Sequence, residues 1–167
     1  MEDTDVFAVI GALDDARVRH WLSGGWGVDA LVGRQTRPHR DLDLAIDAEH
    51  EAAAMDALAA LGYSVETDWR PVRIEVAAPG DRWVDIHPVQ FDAAGHGLQA
   101  DLDGGAGYPY PPDGFTTGII DGRVVPCLSA AKQLEFHTGY PPRAVDRHDI
   151  ALLDEISRGS GTHTRPA

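Results

Sequence analysis

The stretch that decides the fold is WLSGGWGVDALVGRQTRPHRDLDLAID, Trp21 to Asp47. It runs from a Gly-Gly pair through a short amphipathic segment and a basic patch into two aspartates one residue apart. DLDLAID alternates polar and apolar residues with period 2, which reads as a strand. Side chains on a strand alternate between faces, so Asp41 and Asp43 point one way while Leu42 and Leu44 point into a core. Two bare carboxylates with Cα atoms about 6.5 Å apart repel. Either one takes up a proton or a cation sits between them.

Hard divalent cations take oxygen ligands, and Mg²⁺ typically uses one or two carboxylates together with substrate phosphates. RWVDIHP supplies a third acid. Val84 and Ile86 face one way, Asp85 and His87 the other, and Asp85 suits either a metal ligand or the general base for an attacking hydroxyl. Upstream, SGGWG offers unobstructed backbone N–H groups at the start of a helix, a geometry suited to nucleotide phosphates, with the Ser23 hydroxyl beside them. No G-K-[ST] follows, so this is not a Walker loop. Arg37, His39 and Arg40 stand just before the aspartates, where a triphosphate needs its charge neutralised.

Outward from this stretch, apolar residues at Val6, Ile10, Leu13, Val18 and Leu22 follow a helical period. HWLS reads as a very short strand, and Trp26–Val32 as a helix stopped by Gly33. AEHEAAAMDALAALG reads as a helix ended by Gly62. Three strands follow, in YSVETDW, VRIEVAAPG and RWVDIHPV. Asp92 to Gly118 is rich in Gly, Pro and Asp and reads as one long loop. TGIIDGRVVPC reads as a hairpin turning at Asp121-Gly122. SAAKQLEFHTG, with Ser129 as N-cap, and VDRHDIALLDEIS read as closing helices, with a frayed tail RGSGTHTRPA. The expected class is α+β, a short mixed sheet flanked by helices, with the C-terminal helices forming a cleft. The expected organisation is a single domain over 1–167, with a catalytic core at about 1–92 and the loop, hairpin and C-terminal helices at about 93–167.

The 167 residues suit one ordinary core. No apolar run reaches membrane-spanning length, the acidic N-terminus is unlike a signal peptide, and the lone Cys127 forbids an internal disulfide. A cytoplasmic protein without membrane or nucleic-acid partners is expected. The formal charge of −13 opposes phosphate backbones and suits either a cationic small molecule or solubility alone. Glu66, Asp68 and Glu75 are candidates for an acidic rim that holds a ligand ammonium. Trp26, Trp69, Trp83 and Tyr108 are either packing residues or stacking surfaces, and Cys127 is read as core.

The G-G-W-x-x-D…H-x-D-x-D arrangement, continued through VDIHPV, VPCLSAAKQLEFHTGY and RHDI, resembles the antibiotic nucleotidyltransferases of the DNA polymerase β-like superfamily. It is most similar to the small lincosamide nucleotidyltransferases, then to the aminoglycoside 2''-nucleotidyltransferases. The resemblance covers nearly the whole chain and implies the nucleotidyltransferase fold. It implies Asp41 and Asp43 on Mg²⁺ and ATP phosphates, and Asp85 as third carboxylate, ligand or base. It places Ser23, Gly24 and Gly25 under the triphosphate, although relatives often carry Asp or Gly at the position of Ser23. Lys132, His137 and Arg143 become candidates for nucleotide or substrate contacts; beside them, Arg40 of the basic patch is a nucleotide candidate, Glu75 of the acidic rim a substrate candidate, and His87 either a substrate contact or a structural histidine. The implied reaction moves AMP from ATP to a hydroxyl of a small antibiotic, most similar to lincosamide modification. Aminoglycoside modification, and a toxin-antitoxin-type transfer to protein or RNA, are the alternatives. The sequence leaves room for a homodimer.

Overall fold

In the computed structural model, which describes residues 1–138 and 140–160, the alternating stretch Asp41–Asp47 is strand β2 inside a nine-stranded mixed sheet. The elements in chain order are α1 (Asp3–Asp15), β1 (His20–Ser23), α2 (Gly24–Val32), β2, α3 (Glu51–Ala60), β3 (Ser64–Trp69), β4 (Arg73–Ala78) and β5 (Arg82–Phe91). They continue with β6 (Gly97–Gln99), β7 (Tyr108–Tyr110), β8 (Phe115–Ile120), β9 (Arg123–Leu128), α4 (Ala130–Phe136) and α5 (Ala144–Ser160). The sheet runs β3-β4-β5-β2-β1-β9-β8, with β6 paired to the end of β5 and β7 to β6. The β2–β5 and β1–β9 pairs are parallel, and the rest are antiparallel. Strands from both sequence halves therefore share one sheet, with β1 between β2 and β9.

One face of the sheet is the main core. Leu22, Leu42, Leu44, Ile46, Ile74, Val76, Val84 and Ile86 are all at most 1% exposed, and they pack with Val6, Val9 and Leu13 of α1 and Ala54 and Leu58 of α3. Burying each such side chain contributes about 1.5–3 kcal/mol, enough to fix which face of β2 turns inward. A smaller cluster on the other face joins Ala45, Val89, Tyr110 and Leu128 to Trp21, Phe91, Phe115 and Phe136.

The stretch expected as one loop, Asp92 to Gly118, instead holds β6, β7 and the start of β8. Three-residue strands are too short for an alternation to show, and Pro109 between two tyrosines reads as a breaker. Tertiary pairing decides: Val89 faces Gln99, Phe91 faces Gly97, and Gly97 faces Tyr110. The hairpin at Asp121-Gly122 is as read. Both residues have positive φ (44° and 74°), the primed turn that matches strand twist.

The helical period read from Val6 through Leu22 stops short, since α1 ends at Asp15 and Leu22 packs from β1, paired with Leu44. Gly33 caps α2, and the Ser129 hydroxyl accepts from the Lys132 N–H at 3.4 Å to start α4. Gly139, and the tail from residue 161 on, lie outside the described residues. In the first turn of α5, Asp146 accepts from the Arg143 backbone N–H at 2.7 Å and from its guanidinium at 2.9 Å. α5 is also fastened to the loop ahead of β2: Arg37 donates twice to Asp149, at 3.0 and 2.6 Å, and His148 meets Thr36 at 3.1 Å.

Arg143 holds the Asp146 carboxyl down at about 2. A depressed carboxylate contributes stability above its unfolded value near 3.8 and loses it as pH falls through about 2. Asp146→Asn is expected to lower the unfolding free energy by about 1–2 kcal/mol at neutral pH, discounted because Arg143 is largely exposed. Denaturant titrations of the two proteins should converge as pH falls from 4 toward 2.

Candidate active site

The register of four strands places four polar side chains in one row. Ser23 faces Asp43 across β1–β2, Asp43 faces Asp85 across β2–β5, and Asp85 faces Glu75 across β5–β4. Neighbouring strands are about 4.8 Å apart, so three acids stand side by side on the face away from the main core. Asp41 lies two residues back, opposite Trp83, and His87 two residues forward, opposite Ala45. One ligand atom from each of Asp43, Asp85 and His87 falls within 4.8 Å of the others.

Such crowding raises proton affinity. Burial first, then the neighbouring Asp43 charge, raises the Asp41 carboxyl, and Arg40 offsets part of this. Burial also raises Asp85, against the opposing pull of His87 and Arg73. Arg73 is the resident counter-cation. Its Nε donates to Asp85 Oδ1 at 2.6 Å and its Nη2 to Glu75 Oε2 at 2.8 Å, with the guanidinium 5.3 Å from the Trp69 ring centre.

Gly24 opens α2 with φ +55°, a conformation that costs an L-residue about 1–2 kcal/mol. A Cβ there would also collide with the Asp43 carboxylate, and one on Gly25 with the His39 ring. The glycine pair thus makes room first for the chain's own side chains. His39 is 6% exposed and meets Asp29 at 2.5 Å, and the same Asp29 accepts from Thr36 Oγ1 at 2.6 Å and Thr36 N at 3.1 Å.

A cavity of about 720 Å³ opens over the row. Ser23, Gly24, Asp43, Arg73 and His87 line its floor, and Leu102, Tyr108, Tyr110, Lys132, Phe136 and Tyr140 line the rest. The Lys132 side chain is only 2% exposed. It donates to Pro109 O at 2.5 Å and Glu135 at 2.7 Å, and lies 4.8 and 4.7 Å from the Tyr110 and Phe136 ring centres. His87 Nδ1 is 3.1 Å from Gln99 Nε2, and its Nε2 is 3.7 Å from Asp43 Oδ1.

Of the residues singled out by sequence, Ser23, Gly24, Asp43, His87, Tyr108 and Lys132 line this cavity. Asp85 lies beneath Arg73 at 7% exposure, and Glu75 is bound to the same guanidinium. Asp41 shares the strand face, and Gly25 packs on His39. Arg40 lies 5.1 Å from the Trp83 ring centre. His137 meets the Tyr140 hydroxyl at 3.3 Å and Arg143 is held by Asp146; neither is in the lining, although Thr138 and Tyr140 are. Asp68 is bonded to Arg70, and Glu66 is exposed. Trp26 is core, as is Cys127, whose thiol burial pushes up to about 12. Arg37 and His39 are held by Asp149 and Asp29 rather than free for a ligand. Arg73, Gln99 and Tyr110 went unread. For Arg73 a signal existed, since V-R-I-E-V puts Arg73 and Glu75 on one strand face.

The sequence profile of the family described as aminoglycoside-2''-adenylyltransferase matches residues 5–153. A lincosamide resistance protein of Staphylococcus haemolyticus is 36% identical over 155 residues, 93% of this chain and 96% of that protein. A 2''-aminoglycoside nucleotidyltransferase of Escherichia coli is 29% identical over 128 residues, 75% of this chain and 67% of that protein. Among solved structures, lincomycin-bound lincosamide antibiotic adenylyltransferase LnuA superposes with a TM-score of 0.84 at 36% identity, covering 93% of this chain and 98% of that one. By profile, sequence and fold together, the chain belongs to the aminoglycoside-2''-adenylyltransferase family and is a nucleotidyltransferase.

Proposed function

We propose that this protein is a single-domain cytoplasmic enzyme that moves AMP from ATP, with Mg²⁺, to a hydroxyl of a lincosamide antibiotic. The observation that carries the reading is the Asp43–Asp85 pairing, in register on parallel strands, beneath a cavity with an aromatic wall. Among the described residues, two carboxylates line that cavity, Asp43 and Glu135, and Glu135 is bonded to Lys132. A polyamine such as an aminoglycoside needs several free anions, whereas a lincosamide has one amine and apolar surface to bury. The local chemistry therefore favours the lincosamide, although the net charge of −13 points toward the polycation.

The donor set fits Mg²⁺: Asp41 and Asp43 offer carboxylate oxygens from one face of β2, and burial together with the Asp43 charge raises the proton affinity of Asp41. When bound there, the ion neutralises developing charge on the phosphate oxygens. The chain's own groups do the positioning. The N–H groups opening α2 at Gly24 and Gly25, with Ser23, receive phosphate oxygens. Arg40 and Lys132 balance phosphate charge. The drug hydroxyl forms a bond to the α-phosphorus, the bond from that phosphorus to the bridging oxygen breaks, and pyrophosphate leaves. Asp85, with its raised proton affinity and one oxygen beyond its bond to Arg73, accepts the hydroxyl proton. Glu75 orients Arg73, His87 faces the acceptor, and His137 and Arg143 support Thr138 and Tyr140 in the cavity lining.

Purified protein incubated with ATP, Mg²⁺ and a panel of lincosamides and aminoglycosides is expected to add one adenylyl group to a lincosamide, read by mass spectrometry. An adenylylated aminoglycoside alone would transfer the reading to that class. Label from ATP on a lysate protein and on no drug would overturn it. Asp43→Asn is expected to lower kcat/KM more than about 100-fold, beyond the range for an outer-shell partner, with an unchanged melting transition or nearly so. Gly24→Ala is expected to cost about 1–2 kcal/mol of stability and also to depress kcat, since the added methyl displaces Asp43. Retained kcat in a Gly24→Ala protein of lowered stability would show that Asp43 tolerates the shift.

A further inference from the structure

The two strands hidden in the expected loop deliver a buried chain of hydrogen bonds to His87. The Tyr110 hydroxyl, on β7, donates to Gln99 Oε1 at 2.7 Å. Gln99, on β6, directs its Nε2 to the Val72 carbonyl oxygen at 3.2 Å and to His87 Nδ1 at 3.1 Å. Gln99 is 7% and Tyr110 2% exposed, so solvent does not substitute for these partners.

The orientation of the Gln99 amide follows from its neighbours. A carbonyl oxygen only accepts, so the group facing Val72 O must be the NH₂. Turning the amide over would set two oxygens against each other and would leave a buried acceptor unpaired, at a cost of about 1–3 kcal/mol. With the NH₂ donating to Nδ1, that nitrogen keeps its lone pair. A neutral His87 then carries its proton on Nε2, the nitrogen 3.7 Å from Asp43 Oδ1.

This bears on the Asp43, Asp85 and His87 cluster. By distance alone the three resemble a carboxylate–imidazole site, a donor set that suits zinc-like ions better than Mg²⁺. A protonated Nε2 has no lone pair to give.

We propose that Gln99, braced by Tyr110 and Val72, is a positioning residue that fixes His87 as an Nε2–H donor toward Asp43. It thereby keeps the imidazole out of the cation's ligand set and biases the site to oxygen-only, Mg²⁺-like coordination. The inference rests on the reading of Asp43 as a cation ligand, but its test needs no turnover. Failure here is therefore distinct from failure of drug adenylylation.

The test is long-range ¹H–¹⁵N correlation of histidine-labelled protein at alkaline pH, where the ring is neutral, with the His87 signals assigned through His87→Asn. The expected result is a protonated Nε2 and a lone pair on Nδ1. The opposite tautomer, or an averaged ring, would overturn the proposal. Gln99→Glu presents an acceptor to Nδ1 and should switch the proton to it, freeing Nε2. Zn²⁺ affinity without nucleotide, by calorimetry, should then rise about tenfold or more while Mg²⁺ affinity does not, in the range that outer-shell partners command. Gln99→Leu, which only removes the donor, should give a mixed tautomer and serves if the glutamate variant does not fold. An unchanged tautomer in whichever variant folds would remove Gln99 from the account.

Discussion

The parallel register of β2 against β5 is the constraint on which the rest of the site depends. Sliding β2 by one residue against β5 would turn Leu42 and Leu44 away from Val84 and Ile86 toward the polar face and drive Asp41 and Asp43 into the core. Those four side chains, none measurably exposed, hold the register by burial. The acids are thus fixed as neighbours by apolar residues that never touch a ligand. The chemistry of the row is a by-product of packing on the opposite face.

Holding Asp43 beside Asp85 has an electrostatic cost, and the surrounding structure is arranged to offset it. Arg73 bridges Asp85 and Glu75 from β4, and Arg40 eases Asp41. The loop that leads into β2 is pinned by an internal frame. Asp29 holds Thr36 and His39, and Asp149 of α5 holds Arg37. Breaking a buried pair by removing one partner commonly costs about 3–5 kcal/mol. The largely buried His39–Asp29 contact therefore matters more to the placement of Asp41 than any exposed ion pair on the helices does.

This division explains what the sequence disclosed. Period-2 alternation in DLDLAID and RWVDIHP, helix formers in α3, and the Asp-Gly turn are local signals, and each is where it was read. The D-x-D pair and Asp85 were visible because carboxylates gathered on one face of otherwise apolar strands contradict plain packing. What stayed hidden was set by long-range pairing. His39 reads as a surface cation until Asp29 is folded against it. Arg73 reads as a strand-edge charge until β4 is laid beside β5. Gln99 and Tyr110 sit in three-residue strands amid Gly, Pro and Asp, where no period has length to appear. Their role depends wholly on which strand they pair with.

The net charge of −13 illustrates the same limit in another form. Screening confines exposed charges to about 8 Å at physiological ionic strength, so a total spread over the surface says little about one cavity. Inside the cavity the lining carries two acids, Asp43 and Glu135, and two bases, Arg73 and Lys132. Near neutrality is what the proposed reaction requires, because a triphosphate and a cationic drug must occupy adjoining space. A strongly acidic wall would attract the drug and repel the nucleotide, and a strongly basic one would do the reverse. Lys132 is tethered to Glu135 on α4, and Asp43 stands in the strand row next to the Arg73 partners Asp85 and Glu75. The separation lets each substrate meet its own countercharge. On this argument selectivity is written in how the charges are paired, which composition does not record.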